Sequence, residues 1–215
     1  MDTYADRRDA GKVLVPYLQS YAHQPNVIIL ALPRGGVPVA IELADSLGLP
    51  LEVFVVRKLG VPGQEELAMG AIASGGIILF NESLIAQLDL DASLIQTVIE
   101  REKKELERRE FLYRRNRLPL QLNGKTVILV DDGIATGFTM RAAVLAIRKQ
   151  TPKHLVIAVP VAEPAICKNM EAIVDHIVCP LKPAHFNAVG QWYDHFSQVS
   201  DDEVIQMLSH RQDKI

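Results

Sequence analysis

Short apolar runs alternate with helical patterns along this chain, and this alternation limits its fold more than any other feature. The runs are typical of strands buried on both faces, and they occupy residues 27–32, 127–130 and 154–159. The helical patterns that follow them occupy residues 37–47, 140–149 and 164–173. Strands that alternate with helices pair in parallel through right-handed crossovers. The sequence therefore predicts an α/β fold with a mostly parallel twisted sheet flanked by helices.

Length and composition indicate one globular domain over residues 1–215. The chain is 48% hydrophobic, which is enough to bury a sizeable core, and its net charge of −3 offers no basic surface to nucleic acid or an anionic membrane. No apolar run approaches the roughly 20 residues that a membrane helix needs. The two cysteines lack C-x-x-C spacing, and the amino terminus is polar. We therefore expect a reduced, cytoplasmic protein that binds neither nucleic acid nor a membrane.

Four further segments complete the predicted organisation. Residues 51–56 form a second strand, and a Gly/Pro-rich stretch at 59–76 follows it. Residues 91–117 have the longest helical pattern and form an insertion outside the core. Acids alternate with bases throughout this insertion, which favours a solvated helix packed by one face over a nucleic-acid surface. A capped helix at 201–210 ends the pattern.

Two adjacent carboxylates, Asp131 and Asp132, stand at the carboxyl end of the strand at 127–130. Carboxylates in this position suit the paired hydroxyls of a ribose, because each can accept two hydrogen bonds. The Gly/Thr loop that follows opens onto a helix amino terminus, where backbone N–H groups and the helix dipole favour a phosphate. Together these features predict a ribose-5-phosphate site. The alternative is an ordinary strand whose aspartates face solvent.

A second loop of the same kind follows the first strand, with the sequence Leu32-Pro33-Arg34-Gly35-Gly36. Arg34 adds a planar set of donors suited to phosphate oxygens. Parallel strands would place this loop and the acidic pair at the same carboxyl edge of the sheet, where α/β proteins bind ligands. A tight turn with a surface arginine is the alternative interpretation.

This order of features resembles the phosphoribosyl-pyrophosphate (PRPP) signature of type I phosphoribosyltransferases: an apolar strand, two acidic residues and a Thr-Gly-Gly-Thr loop. The sequence departs from the signature at Gly133, where a branched apolar residue is usual, and at Phe138, where the second loop glycine is usual. Phe138 cannot freely adopt a positive φ, so Gly137 alone is expected to make any left-handed turn. The chain is also similar to an uncharacterised subgroup of this family, sometimes fused to hydrolase domains, at residues 6–11, 57–60, 66–71, 107–110, 189–193 and 196–201.

The resemblance implies a role for each candidate site residue. Asp131 and Asp132 would hold the ribose hydroxyls near a developing cationic centre, and would contact Mg²⁺ indirectly, through PRPP or water. Arg57 and Lys58, which end the second strand as in orotate-type members, would complete the catalytic set and receive the pyrophosphate. The loop residues that would also bind the pyrophosphate are Arg34, Gly35 and Gly36. Those that would bind the 5-phosphate are Ala135, Thr136, Gly137, Phe138 and Thr139.

Two peripheral parts would complete such a site. The stretch at 59–76 would act as a mobile lid over PRPP, although it lacks the loop lysine of orotate-type members; a fixed connection is the alternative. A carboxyl-terminal hood, residues 180–215, would border the acceptor. Its aromatic side chains either stack on a base or pack the hood onto the core, and they are Phe186, Trp192, Tyr193 and Phe196.

The function implied by the resemblance is transfer of the 5-phosphoribosyl group from PRPP to a nitrogen acceptor, a nucleobase or related amine, with release of pyrophosphate. A non-catalytic PRPP-sensing regulator on the same fold is the alternative. A Rossmann-type dinucleotide enzyme is disfavoured, because no G-x-G-x-x-G follows the first strand. The expected partners are small molecules, and assembly as a homodimer is left open.

Overall fold

The computed structural model describes residues 3–114 and 119–212. Its strands, in chain order, are β1 (Val27–Ala31), β2 (Leu51–Val53), β3 (Val56–Val61), β4 (Gln64–Ala73), β5 (Ile77–Phe80), β6 (Thr126–Val130), β7 (His154–Ala158) and β8 (His176–Val178). Its helices are α1 (Arg7–Leu18), α2 (Gly36–Leu47), α3 (Glu82–Gln87), α4 (Ala92–Arg114), α5 (Phe138–Arg148), α6 (Pro164–Glu171) and α7 (Asp201–Gln212). Among these described residues, no helix is both long enough and apolar enough to cross a membrane.

Five strands form a parallel sheet in the order β2-β1-β6-β7-β8. Alternate residues of the central strands face opposite cores: Ile29 packs in the cluster with α1, α2, α4 and α7, whereas Leu30 packs in the cluster with α5 and α6. Both faces are therefore covered, as continuous apolar strands require. The predicted α/β fold with a parallel sheet flanked by helices is confirmed.

Glycines mark the end of α2 and the start of α5, as the sequence indicates for both helices. Gly48 ends α2 in the left-handed conformation, with φ +62°, directly after the helical pattern predicted for residues 37–47. Gly137 precedes α5 with φ +77°. In α1, Pro16 does not end the helix at once, because α1 continues to Leu18.

The prediction for residues 51–76 is wrong in one important respect. The second strand of the parallel sheet ends at Val53, and Val56 already begins β3 of a separate antiparallel sheet with the order β3-β4-β5. Arg57 and Lys58 therefore lie within β3 and not at the edge of the parallel sheet. The Gly/Pro-rich stretch is largely a paired hairpin. A Cβ on Gly60 would lie 2.6 Å from the backbone oxygen of Glu65, so this glycine serves a close approach of two strands.

The long helix and the carboxyl-terminal helix pack together on one side of the sheet. The structure describes α4 as far as Arg114, and residues 115–117 of the predicted helix lie outside the described residues. Helix α7 buries Val204 and Leu208 against α2 and α4. Ser200 and Glu203 form a reciprocal cap at its start, because each side chain accepts the other's backbone N–H, at 3.2 and 2.7 Å.

Candidate functional site

The two loops predicted from the sequence touch each other at the carboxyl edge of the parallel sheet. Ala31 of β1 pairs with Val130 of β6, so the chain leaves both strands at the same level. A Cβ on Gly36 would lie 2.7 Å from the Val130 oxygen and 2.9 Å from Cα of Asp131. A Cβ on Gly35 would collide with the Asp132 carboxylate. Only glycines allow this contact, and the peptide bond that precedes Arg34 is cis.

The acidic pair is desolvated and its members have different partners. Asp131 Oδ1 accepts the backbone N–H of Asp132 at 2.9 Å. Burial, together with the neighbouring charge of Asp132, raises the pKa of the Asp131 carboxyl well above its usual range. Burial also raises the pKa of Asp132, while the guanidinium of Arg7 opposes the increase. Two carboxylates in this environment favour a ligand that brings hydroxyl donors or positive charge.

Arg7 is a site residue that sequence reasoning missed. It lies in the first turn of α1, and its Nε donates to Oδ2 of Asp132 at 2.8 Å. Its Nη1 donates to the backbone oxygen of Ser197 at 2.7 Å, and its Cζ lies 3.8 Å from the centroid of the Phe196 ring. One weak signal was present, because the helix dipole disfavours a cation in a first turn unless a tertiary contact compensates it.

Two segments from opposite ends of the described chain meet beside the acidic pair. Tyr4 donates its backbone N–H to the Trp192 oxygen at 2.9 Å, and its own oxygen accepts from the Asp194 N–H at 2.8 Å. The Tyr193 hydroxyl donates to the backbone oxygen of Asp132 at 2.5 Å, and burial raises the pKa of this hydroxyl. The hood is therefore held to the acidic pair by the Tyr193 hydroxyl and to the amino-terminal segment by backbone hydrogen bonds.

The aromatic residues of the hood pack mainly on the protein itself. Tyr193 is buried, with ring centroids 5.5 Å from Tyr4 and 4.9 Å from Phe196. Phe186 and Trp192 pack against the same small cluster. The packing alternative considered above describes these contacts, and stacking on an acceptor stays a prediction for Phe196, which keeps 36% of its surface exposed.

The loop that would bind the 5-phosphate has a free, polar surface. Ala135, Thr136 and Thr139 are exposed, and the Thr136 hydroxyl accepts the Phe138 N–H at 3.5 Å. Gly137 alone takes the left-handed conformation, as expected from the sequence. Its Cα packs onto α6, because an added Cβ would lie 2.8 Å from Met170 Cε. The loop thus presents exposed residues beside the α5 amino terminus, which is chemically suited to an anion.

The unusual glycine at position 133 is explained by the hood. A Cβ there would lie 2.6 Å from Cγ1 of Val189 and 3.1 Å from Cγ1 of Val161. Val189 therefore fills the space that a branched residue at position 133 would take. The glycine at position 133 thus makes room for a side chain of the hood.

The three predicted pyrophosphate cations all have acidic partners. Arg34 Nη1 lies 3.4 Å from Oδ1 of Asp201, which also accepts the Tyr113 hydroxyl at 2.5 Å. Arg57 donates through Nε and Nη2 to Oε2 of the buried Glu102, at 3.0 and 2.7 Å. These two arginines are neutralised by carboxylates from α7 and α4.

Arg57 and Lys58 are held apart from the acidic pair. Lys58 Nζ pairs with the exposed Glu66 carboxylate of its own hairpin at 3.0 Å. Within the described residues, neither Arg57 nor Lys58 makes a hydrogen bond or ion pair with Asp131, Asp132 or Arg34. On α4, Glu102, which binds Arg57, lies about 16 Å along the helix axis from Tyr113 and about 9 Å from Arg108, and both of these contact Asp201. The structure therefore brings the two loops together but leaves this pair on a separate hairpin.

The donor set at this edge suits a cation that is held mainly by its ligand. Within the described residues there is no group of three or more His, Cys, Asp or Glu side chains that could hold a metal ion. Mg²⁺ keeps several waters and binds substrate phosphates with one or two carboxylates. Asp131 and Asp132 fit such a secondary role, directly or through water.

Comparisons with known proteins agree with this fold. Residues 62–191 match the family model "Phosphoribosyl transferase domain". The Mycobacterium tuberculosis (strain ATCC 25618 / H37Rv) protein named "Putative phosphoribosyl transferase Rv0571c" is 44% identical over 213 residues, which cover 98% of this chain and 48% of that protein. The crystal structure of TT1426 from Thermus thermophilus is 37% identical, with a TM-score of 0.83 over 97% of this chain and 98% of that one. The AQ2163 protein from Aquifex aeolicus, 17% identical with a TM-score of 0.52 over 88% and 81%, shares the fold.

The parallel sheet and the paired loops define an α/β protein with a candidate ligand site at the carboxyl edge of its sheet. More particularly, the chain belongs to the type I phosphoribosyltransferase family, which confirms the resemblance that the acidic pair and its loop indicated. It spans 48% of the length of the curated relatives it matches.

Proposed function

We propose that this chain transfers the 5-phosphoribosyl group from PRPP to a nitrogen acceptor, a nucleobase or related amine, and releases pyrophosphate. The observation that carries the proposal is the direct contact of the Asp131–Asp132 pair with the Arg34–Gly36 loop, beside the exposed amino terminus of α5. In this arrangement, carboxylates that can accept hydrogen bonds from hydroxyl groups lie between two loops suited to anions. PRPP has the matching order of a phosphate, a diol and a pyrophosphate.

In this proposal the protein acts by positioning and electrostatics. The 5-phosphate binds the N–H and hydroxyl groups of Thr136, Gly137 and Thr139, and the ribose hydroxyls bind Asp131 and Asp132. The bond between the ribose carbon and pyrophosphate breaks, and its electron pair leaves with pyrophosphate. The acceptor nitrogen bonds to the same carbon, which carries positive charge while both bonds are weak, and the proton of that nitrogen passes to pyrophosphate or to water. The two carboxylates stabilise that charge, and the fixed loops keep donor and acceptor in line.

Release of pyrophosphate requires an exchange of ion-pair partners. Arg34, Arg57 and Lys58 are paired with Asp201, Glu102 and Glu66. Pyrophosphate carries more negative charge than a carboxylate, so it competes with Asp201, Glu102 and Glu66 for these cations. Mg²⁺ bound to pyrophosphate neutralises only part of that charge. In this proposal the β3–β4 hairpin moves towards the loops and brings Arg57 and Lys58 to the ligand, and such a movement also excludes water.

The test is a search for pyrophosphate release. Protein, PRPP and Mg²⁺ are incubated with a panel of purines, pyrimidines and small amines, and pyrophosphate is measured with and without each acceptor. Acceptor-dependent release that is lost in the Asp131→Asn, Asp132→Asn double variant supports the transferase. The control is the same double variant tested for an unchanged unfolding transition.

The regulatory alternative gives a different result in the same experiment. A PRPP sensor binds PRPP in calorimetry but releases no pyrophosphate with any acceptor. The Arg57–Glu102 pair favours this alternative, because it holds one of the three cations on a largely buried carboxylate. Absence of PRPP binding by the wild-type protein would contradict both functions.

A further inference from the structure

We infer that Arg7 is a positioning residue for ribose recognition: it fixes one oxygen of Asp132 and leaves the other oxygen to the ribose hydroxyls. The inference rests on the proposed PRPP binding and adds a residue from outside the two loops. It also assigns a function to the first turn of α1, which lies far from the acidic pair in sequence.

The guanidinium of Arg7 is fixed on three sides. Nε donates to Asp132 Oδ2 at 2.8 Å, Nη1 donates to the Ser197 oxygen at 2.7 Å, and the Phe196 ring covers its face. Only 11% of the Arg7 side chain is exposed. A planar cation with two directed hydrogen bonds and a stacked ring has little freedom, so it can define the orientation of its partner.

Asp132 is fixed from the opposite directions as well. Its Oδ2 packs directly against Gly35, and its backbone oxygen accepts the Tyr193 hydroxyl. No side chain of the described residues donates a hydrogen bond to its Oδ1. The two carboxylate oxygens therefore differ: Oδ2 accepts from Arg7, whereas Oδ1 has no side-chain donor in the described chain and is the oxygen that we assign to a ligand hydroxyl.

Arg8 provides a matched control on the same helix turn. It also makes one ion pair, from Nη1 to Oε1 of Glu42 at 2.9 Å, but its partner belongs to α2 and its side chain is 54% exposed. Removing either arginine deletes one cation from α1. Only removal of Arg7 alters a residue of the proposed ribose site.

The experiment is calorimetry of Mg²⁺-PRPP, ribose 5-phosphate and Mg²⁺-pyrophosphate with wild-type protein and matched variants. Arg7→Met should weaken the binding of PRPP and ribose 5-phosphate about tenfold, because Asp132, the proposed ribose contact, loses its buried charged partner. The binding of pyrophosphate should weaken less than about twofold. Arg7→Lys, which keeps the charge but loses the planar pair of donors and the stacking on Phe196, should recover only part of the loss for the two ribose ligands. Arg8→Met should bind all three ligands as the wild type does.

A double-mutant comparison tests whether Arg7 acts through Asp132. In an Asp132→Asn background, adding Arg7→Met should cause no further loss of ribose 5-phosphate affinity. Phe196→Leu is the second variant in case Arg7→Met folds poorly; it loosens the guanidinium without removing its charge. It should weaken the two ribose ligands about threefold and leave pyrophosphate unchanged.

Three outcomes would overturn the inference. They are equal losses for all three ligands in Arg7→Met, equal effects of Arg7→Met and Arg8→Met, and additive losses in the double variant. Failure of the proposed function gives a different result, because in that case the wild-type protein itself does not bind PRPP. If wild-type protein binds PRPP and Asp132→Asn weakens it while Arg7→Met does not, only the role of Arg7 is refuted.

Discussion

Arg57 gives two of its donors to a single oxygen of Glu102, whose side chain is 9% exposed. A carboxylate of α4 thus forms an ion pair with the arginine that the family resemblance assigns to pyrophosphate. Loss of this ion pair should therefore change both the stability of the fold and the affinity for pyrophosphate, and the two can be measured separately.

Replacing Glu102 with glutamine should strengthen ligand binding and destabilise the fold. Arg57 would lose its charged partner and become available, so Mg²⁺-pyrophosphate affinity should rise about threefold. The free energy of unfolding in urea should fall by about 1–3 kcal/mol, because a largely buried ion pair is broken. Glu105→Gln is the control, since Glu105 pairs with Arg108 and Arg109 on the same helix. Weaker pyrophosphate binding in Glu102→Gln would show that the pair orients Arg57 for its ligand.

Arg34 should discriminate between the two ends of PRPP. It follows β1, whereas the loop that would bind the 5-phosphate follows β6. Arg34→Ala should therefore weaken PRPP and pyrophosphate about tenfold or more, and ribose 5-phosphate by less than about twofold. Calorimetry with the three ligands measures the split. Similar losses for all three would assign Arg34 to the structure of the loop.

Gly137 should tolerate no side chain, for two separable reasons. An alanine there takes a positive φ, which costs about 1 kcal/mol, and its Cβ would press on Met170. Gly124 has φ +70° with nothing within 4 Å of an added Cβ, so Gly124→Ala isolates the backbone cost. Urea unfolding should show a larger loss for Gly137→Ala, and ribose 5-phosphate affinity should fall only in that variant. Equal losses of stability would mean that α6 moves aside freely.

The hairpin at 59–76 should become protected when the site is filled. Its β3–β4 pairing has register shifts at Gly60, and its outer residues are exposed. Hydrogen exchange there should slow with Mg²⁺-PRPP and an acceptor analogue, while exchange in β7 stays the same. Exchange that is slow in the free protein and does not change with ligand would make the hairpin a fixed connection.

Asp175 should make stability depend on pH. Burial alone would raise the pKa of its carboxyl, but hydrogen bonds from the Leu155 N–H and Arg148, at 2.7 and 2.9 Å, outweigh burial and lower it. Its stabilising contribution is therefore present above the pKa of an unfolded aspartate, about 3.9, and is lost as pH falls through the lower folded value. Asp175→Asn should lower the free energy of unfolding at pH 7, and the difference from wild type should shrink towards pH 3. A difference that is constant with pH would assign the effect to packing.

Much of the fold was predictable because its signals are local. The apolar runs of β1 and β6, the stop at Gly48 and the left-handed turn at Gly137 each depend on a few neighbouring residues. The antiparallel pairing of β3 with β4 was not predicted, because the glycines of this stretch resemble those of a loop. They are required instead where strands approach closely, which sequence alone does not distinguish.

The missed parts of the site depend on long-range contacts. Arg7 reaches Asp132 across 125 positions of sequence, and Val189 fills the space above Gly133 from the hood. Such pairs leave no periodic pattern. Only their consequences are visible, as an arginine at an unfavourable helix position and a glycine in place of a branched residue.

The pairing of Tyr4 with Tyr193 also orders events during synthesis. The last strand of the parallel sheet ends at Val178, so a growing chain can complete its scaffold before the hood exists. Arg7 is made long before that sheet, yet it meets Phe196 and Ser197 only after the hood has emerged. A nascent chain can therefore form the sheet before the proposed ribose site is assembled, and binding of the proposed ligand requires that the two distant segments have met.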